Sequence, residues 1–149
     1  METIDPAKAA RVWQRVHSDL PAPEREQGLL ALIAQEWTDA STYLQLSRRL
    51  QGKDSALLRK MYEQEQAHTA CLKGIYTLIT GQRPHVRGFS PAAGHPETEL
   101  RRCYGKQMQN LAEYERRSAH PEYGHIFQSL AIQERQHGHL LLEILGSLR

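Results

Sequence analysis

The sequence Glu65-Gln66-Ala67-His68 recurs towards the end of the chain as Glu134-Arg135-Gln136-His137. Each copy places a carboxylate and an imidazole three residues apart, on one face of a helix and one turn from each other. An unpaired buried carboxylate costs on the order of several kcal/mol, so it must be paired, protonated or bound to a metal. The two motifs therefore indicate a polar site inside a helical core.

The apolar residues around each motif show that it occupies the buried face of its helix. In the first of these helices the inward positions are Leu58, Met61, Glu65, His68, Leu72, Ile75 and Ile79. In the last helix they are Phe127, Leu130, Glu134, His137, Leu141, Ile144 and Leu148. Steps of three and four are typical of an amphipathic helix, and here Glu and His occupy places where Leu or Ile is expected.

The whole chain reads as four long helices after one short one. We predict the long helices at about 24–50, 55–80, 98–119 and 122–148, and the short one at about 6–18. Short turns join the long helices into two antiparallel hairpins. The Gly- and Pro-rich segment 81–97 can span ~50 Å, enough to run along a helix of about 27 residues. This pattern predicts an all-α four-helix bundle with one long crossover at 24–149, preceded by a helical extension at 1–23.

Composition excludes several classes of protein. Charged residues make up 24% and apolar residues 40%, as in ordinary soluble domains. A net charge of +2, without a basic cluster, argues against nucleic acid or a membrane surface as a partner. With no secretory signal and no apolar run of about 18 residues, we expect a cytoplasmic protein. Cys71 and Cys103 form no C-x-x-C pair for iron or zinc, and we interpret them as small core residues.

An internal repeat relates the two hairpins when they are aligned on their motifs. Glu36 precedes Tyr43 in the first hairpin by the interval at which Gln107 precedes Tyr114 in the second. The repeat thus predicts a carboxylate where the chain carries a neutral amide. Glu113 is the alternative, but it lies closer to the helix break than the second motif does. At ~1.5 Å per residue, this separates the two by roughly 9 Å along the bundle axis. We therefore place Gln107 at the site.

The resulting arrangement resembles a known class of metal site. One Glu from each of two helices and a Glu-x-x-His from each of the other two form the di-metal site of ferritin-like bundles. Residues 28–149 resemble the rubrerythrin branch of that superfamily, on Glu36, Tyr43, the two motifs and the continuation Ile75–Gly81. The resemblance implies a ferritin-like fold with metal ligands at Glu36, Glu65, His68, Gln107, Glu134 and His137.

The resemblance also implies a function. Members of this family hold two iron ions, and manganese or zinc are the alternatives here; the activity implied is a peroxide-reducing or ferroxidase-like oxidoreductase. Without a C-x-x-C pair, such an enzyme needs an external electron donor. A homodimer is usual for bundles of this kind. Tyr43 and Tyr114 are either hydrogen-bond donors or radical-capable residues at the site, or core aromatics whose hydroxyl groups are satisfied.

The third helix departs from the family pattern. Besides Gln107, the family's further Glu one turn later is replaced here by Asn110. Two divalent cations therefore meet fewer carboxylates than the four or more that would bring them near neutrality. Three states remain open: an intact dinuclear site completed by Glu113 or solvent, a weakened or mononuclear site, and a metal-free polar network in which Lys106 replaces the metal charge. The last would suit a non-catalytic structural or interaction protein.

Overall fold

The computed structural model of this protein describes residues 5–7, 22–86 and 94–148. In these ranges the chain forms four complete α-helices and no β-strand: α1 (Ala22–Arg49), α2 (Gly52–Thr80), α3 (Pro96–Arg117) and α4 (Gly124–Ser147). Each helix begins and ends within a few residues of its predicted position. The all-α four-helix prediction is confirmed.

The N-terminal helix predicted at about 6–18 lies almost entirely outside the described residues, so it and the extension at 1–23 stay predictions. Only its start is described, where Asp5 Oδ1 accepts a hydrogen bond from the Ala7 backbone N–H at 2.9 Å. A carboxylate with this contact is a favourable N-cap for a helix.

The helices pack as two hairpins laid against each other. Helix α1 packs on α2 and α3 packs on α4, and further contacts join α1 to α3 and α2 to α4. Among the described helices, α1 and α4 therefore face each other along one diagonal, and α2 and α3 along the other. All four helices thus have a face towards the bundle axis.

A long crossover joins the two hairpins. Arg49 at the end of α1 donates to the Gly94 carbonyl at 2.7 Å, so α3 begins at the end of the bundle where α1 finishes. Lys53 at the start of α2 pairs with Glu143 near the end of α4 at 2.7 Å, which places both at that same end. Because α2 finishes at the opposite end, the connection from α2 to α3 joins opposite ends of the bundle; its residues 87–93 lie outside the described residues.

Two glycines allow the chain to turn at the helix ends. Gly81 ends α2 with a φ of 71°, a left-handed conformation that glycine adopts readily, and its N–H bonds to the Thr77 carbonyl at 2.8 Å. Gly124 begins α4 so close to the preceding turn that a Cβ there would lie 2.2 Å from the Ser118 carbonyl oxygen. The short α3–α4 connection therefore requires glycine at 124.

Two apolar clusters fill the bundle at different heights. The Phe127 cluster contains Leu29, Ile33, Leu72, Ile75, Tyr114, Phe127 and Leu130 with their neighbours. The Met61 cluster contains Tyr43, Leu46, Leu58, Met61, Leu100, Cys103, Leu141 and Ile144. Between these two clusters every helix carries buried polar residues. None of the helices in the described ranges is both long enough and apolar enough to cross a lipid bilayer.

Candidate metal centre

A layer of buried polar side chains crosses the bundle between the two apolar clusters. Every helix contributes two residues spaced three apart, so that both lie on its inward face. None of them is more than 5% exposed. This polar layer consists of Glu36 and Asp39 on α1, Glu65 and His68 on α2, Gln107 and Asn110 on α3, and Glu134 and His137 on α4.

The imidazole of His68 lies among three carboxylates in this layer. Its Nδ1 is 3.4 Å from Glu36 Oε2, 3.5 Å from Glu65 Oε2 and 3.4 Å from Glu134 Oε1. One ligand atom from each of these four residues lies within 4.8 Å of all the others. We call Glu36, Glu65, His68 and Glu134 the four-ligand cluster. Three carboxylates with one imidazole form a donor set that suits a divalent metal ion such as manganese or iron.

The atoms that face one another in this cluster are not satisfied by hydrogen bonds. Within the described part of the chain, His68 Nδ1, Glu36 Oε2, Glu65 Oε2 and both carboxylate oxygens of Glu134 have no hydrogen-bond partner. A buried polar atom left unpaired costs about 1–3 kcal/mol, and a charged one more. A cation at the centre would satisfy all of these atoms at once, so the residues present fit one metal ion.

The outer oxygens of two of these carboxylates are held by neutral donors from α3. Tyr114 donates its hydroxyl to Glu36 Oε1 at 2.9 Å, and the amide of Asn110 donates to the same oxygen at 3.2 Å. The amide of Gln107 donates to Glu65 Oε1 at 3.0 Å. These contacts leave the Oε2 atoms of both carboxylates directed at His68.

Gln107 and His137 lie beside the four-ligand cluster and contact its outer side. Gln107 Nε2 donates to the Tyr43 hydroxyl at 2.6 Å as well as to Glu65. His137 Nδ1 lies 2.7 Å from Glu65 Oε1, and its ring stacks on that of His68 with centroids 5.7 Å apart. The sequence-predicted site residues therefore all lie in one layer, and of the five Glu and His residues among them, four direct ligand atoms to a common point and His137 does not.

Glu113, the alternative to Gln107, lies outside the layer. Its side chain is 29% exposed and pairs with Arg116 and with Arg117, the latter at 2.8 Å. These arginines hold the pKa of the Glu113 carboxyl below its usual value. The charge of half-buried Lys106 acts on Asp39, where it partly opposes the rise in pKa that burial causes.

Asp39 is a buried acid that the sequence interpretation missed. Asn110 Nδ2 donates to Asp39 Oδ2 at 3.3 Å and to Glu36, and Gln35 donates to Asp39 Oδ1 at 2.8 Å. Burial raises the pKa of Asp39 to about 7. The available signal was its spacing of three from Glu36, the same as in the Glu-x-x-His motifs; Ala40, four residues from Glu36, fits the helical period equally well and is also buried.

Burial and mutual charge shift the pKa values of the carboxyl groups of the cluster in different directions. Burial and the charge of Glu65 raise the pKa of Glu134 to about 8. Burial alone would raise the pKa of Glu65 too, but the hydrogen bond with His137 and the nearby imidazole of His68 lower it below its usual value. Burial likewise opposes the charge of His68, yet Glu134 and Glu65 raise its pKa to about 10. At neutral pH the metal-free cluster therefore holds protons that a metal ion would displace.

Both candidate tyrosines are fully buried at the edges of the site. Tyr114 contacts Glu36 directly, whereas the Tyr43 hydroxyl accepts from Gln107. Burial raises the pKa of both phenols well above their usual value, so both stay protonated. Their hydroxyl groups are satisfied, and each orients a neighbour of the cluster.

The chain matches no protein-family model, and no match to it was found among curated proteins or solved structures. The site is therefore interpreted from its own geometry.

Proposed function

We propose that this protein binds one divalent transition-metal ion, iron or manganese, through Glu36, Glu65, His68 and Glu134. The observation that carries the proposal is the convergence of four buried ligand atoms within 4.8 Å whose facing atoms lack hydrogen-bond partners in the described chain. Carboxylate-rich sites with an imidazole suit these metals, whereas structural zinc sites favour Cys and His.

The contacts of Gln107 favour one ion over two. A second ion in the position implied by the rubrerythrin resemblance would need ligand atoms from α3 and from His137. Instead, the amide nitrogen of Gln107 faces Glu65 as a donor, and His137 Nδ1 is bonded to the same oxygen. Turning the amide over would set its oxygen against a carboxylate oxygen. The second position is thus closed by hydrogen bonds.

A metal-free polar network is the competing interpretation. Such a network is stable only when every buried member has a partner. Glu36 and Glu65 each have one oxygen that accepts a hydrogen bond, but neither oxygen of Glu134 accepts one among the described residues, and Glu134 Oε1 only faces His68 Nδ1 at 3.4 Å. This favours the metal site over a degenerate bundle with a purely structural role.

An oxidoreductase activity, peroxide-reducing or ferroxidase-like, follows from the rubrerythrin resemblance and is part of the proposal. Bound iron or manganese would supply the redox chemistry. The chain's own residues would orient the ligands: Tyr114 and Asn110 hold Glu36, while Gln107 and His137 hold Glu65. The two apolar clusters above and below restrict water. Such an enzyme would draw on an external electron donor, and a homodimer remains a prediction.

Metal content tests the proposal directly. We expect protein purified without chelator, or reconstituted anaerobically with Fe²⁺ or Mn²⁺, to hold about one ion per chain. Glu134→Gln should lower metal affinity by more than the roughly 10- to 100-fold that loss of an outer partner costs, because it removes a ligand. The measurement is elemental analysis combined with chelator competition.

Glu113→Gln is the matched control, since it makes the same chemical change on an acid outside the polar layer and should bind as the wild type does. Absence of bound metal after reconstitution would overturn the proposal. Two ions per chain, with one lost in Glu113→Gln, would restore the dinuclear alternative.

A further inference from the structure

The internal repeat extends one residue beyond the two Glu-x-x-His motifs. Gln64 directly precedes Glu65, and Gln133 directly precedes Glu134. Each glutamine precedes a buried glutamate by one residue, and Gln133 is exposed while Gln64 is half-buried. Neither is a metal ligand or a core residue, so their presence in both copies needs a different explanation.

Each glutamine contacts the histidine of the opposite motif. His68 Nε2 on α2 is hydrogen-bonded to Gln133 Oε1 on α4. His137 Nε2 on α4 lies 2.6 Å from Gln64 Oε1 on α2. The two rings stack with an interplanar angle of 22°, and each reaches across to the neighbouring helix. The contacts are therefore reciprocal across the α2–α4 interface.

We infer that Gln133 and Gln64 are positioning residues that hold a proton on Nε2 of the two histidines. An amide carbonyl oxygen can only accept, so the imidazole Nε2–H must be the donor. The remaining ring nitrogen, Nδ1, is then the one directed into the polar layer. For His68 this makes Nδ1 the ligating atom, facing Glu36 and Glu134 at 3.4 Å.

The role of Gln133 in metal binding rests on the proposed function. Gln133 acts directly on a metal ligand, His68. Because this contact fixes the ring of His68, the ring does not have to reorient when a metal ion binds. Partners of this kind typically change metal affinity by roughly 10- to 100-fold when they are removed. Because Gln133 is exposed, its replacement leaves the packed core untouched.

Gln64 acts on the four-ligand cluster less directly than Gln133 does. It accepts from His137 Nε2–H, and because Glu65 Oε1 is also an acceptor, the bond to that oxygen at 2.7 Å requires a second proton on Nδ1 of the same ring. That bond fixes the Glu65 carboxylate with Oε2 towards His68, at 3.5 Å. We therefore expect loss of Gln64 to weaken metal binding less than loss of Gln133.

The test compares Gln133→Leu, which removes the acceptor, with Gln133→Glu, which retains it. Mn²⁺ affinity, measured by chelator competition, should fall roughly 10- to 100-fold in Gln133→Leu and should not fall in Gln133→Glu. Gln136→Leu makes the same change at an exposed position on the same helix and should bind as the wild type does. Thermal unfolding of each metal-free variant checks that the fold is retained. Equal affinity in Gln133→Leu and Gln136→Leu would overturn the inference.

Nitrogen-15 NMR of the histidines separates this inference from the proposed function. In metal-free wild-type protein we expect a protected Nε2–H on His68 that is lost in Gln133→Leu and retained in Gln136→Leu. On loading with diamagnetic Zn²⁺, Nδ1 should become the ligated nitrogen. A wild-type His68 without a protected Nε2–H would overturn the glutamine role. A protected Nε2–H in a protein that binds no metal would support that role and overturn the proposed metal function.

Discussion

Gln107 places a hydrogen-bond donor at the position where a second metal ion would need a ligand atom. Its amide bonds the Tyr43 hydroxyl at 2.6 Å and Glu65 Oε1 at 3.0 Å. Its own oxygen has no hydrogen-bond partner among the described residues. In the proposed site, the atom type at this position therefore distinguishes binding of one ion from binding of two.

We expect Gln107→Glu to raise metal affinity and the number of bound ions from about one to about two per chain. The new carboxylate removes the N–H that holds Glu65, adds a negative charge and supplies the ligand missing from α3. Elemental analysis and titration with Mn²⁺ under anaerobic conditions measure both quantities.

Gln107→Leu is the control, because it removes the hydrogen bonds without adding a ligand. It should bind no additional metal and should lose about 1–3 kcal/mol of stability, since partners at Glu65 and Tyr43 are left unpaired. If Gln107→Glu bound one ion with unchanged affinity, Gln107 would not occupy the missing ligand position.

At the scale of helices, the α3–α4 turn sets the register that brings both halves of the site level. His120 Nδ1 accepts the backbone N–H groups of Glu122 and Tyr123 at 3.1 Å, and Gly124 then passes directly beside Ser118. This tight connection fixes where α4 begins, and hence the height of Glu134 opposite α3.

Gly124→Ala should therefore destabilise the protein, by about 1–3 kcal/mol, because the new Cβ would lie 2.2 Å from a backbone oxygen that cannot rotate away. Gly105→Ala is the matched control: it lies inside α3 with nothing within 4 Å of its Cβ position, and alanine there should stabilise the helix by roughly 0.5–1 kcal/mol. Urea unfolding followed by circular dichroism measures both. Equal stability of Gly124→Ala and wild type would contradict the role of this turn.

At the scale of the whole molecule, helical periodicity was enough to predict the bundle, its long crossover and the inward faces of the motifs. The height of Gln107 along the bundle was predictable because Gln107 and Glu134 lie at equal distances from the helix break, and helix geometry then places them opposite each other. Asp39 escaped prediction because Ala40 fits the same period equally well. Gln133 escaped it because an exposed polar residue adds nothing to the helical period; the sequence repeats it at Gln64, but its contact with His68 is visible only in three dimensions.

Three groups of the polar layer make the metal-free protein less stable as the pH rises above about 4, whereas Glu65, whose pKa is lowered, acts in the opposite direction only below its usual pKa. The pKa values of Asp39, Glu134 and His68 are raised to about 7, 8 and 10. Each folded group thus keeps a proton at pH values where the unfolded chain has released it. Their contribution is fully present below the unfolded pKa values and is lost as the pH rises through the folded ones. The metal-free protein should therefore lose stability from about pH 4 towards pH 10.

A bound metal ion offsets this trend, because it replaces the protons on His68 and Glu134. Near pH 7 binding should release on the order of two protons, so the stabilisation by a fixed excess of Mn²⁺ should grow by about 1.4 kcal/mol per proton and pH unit. Thermal unfolding with and without Mn²⁺ between pH 6 and 8 should show a gap that widens with pH. Glu134→Gln, which cannot release the second proton, should show a smaller widening. A gap independent of pH would mean that metal does not displace these protons, and the four-ligand cluster would not be where it binds.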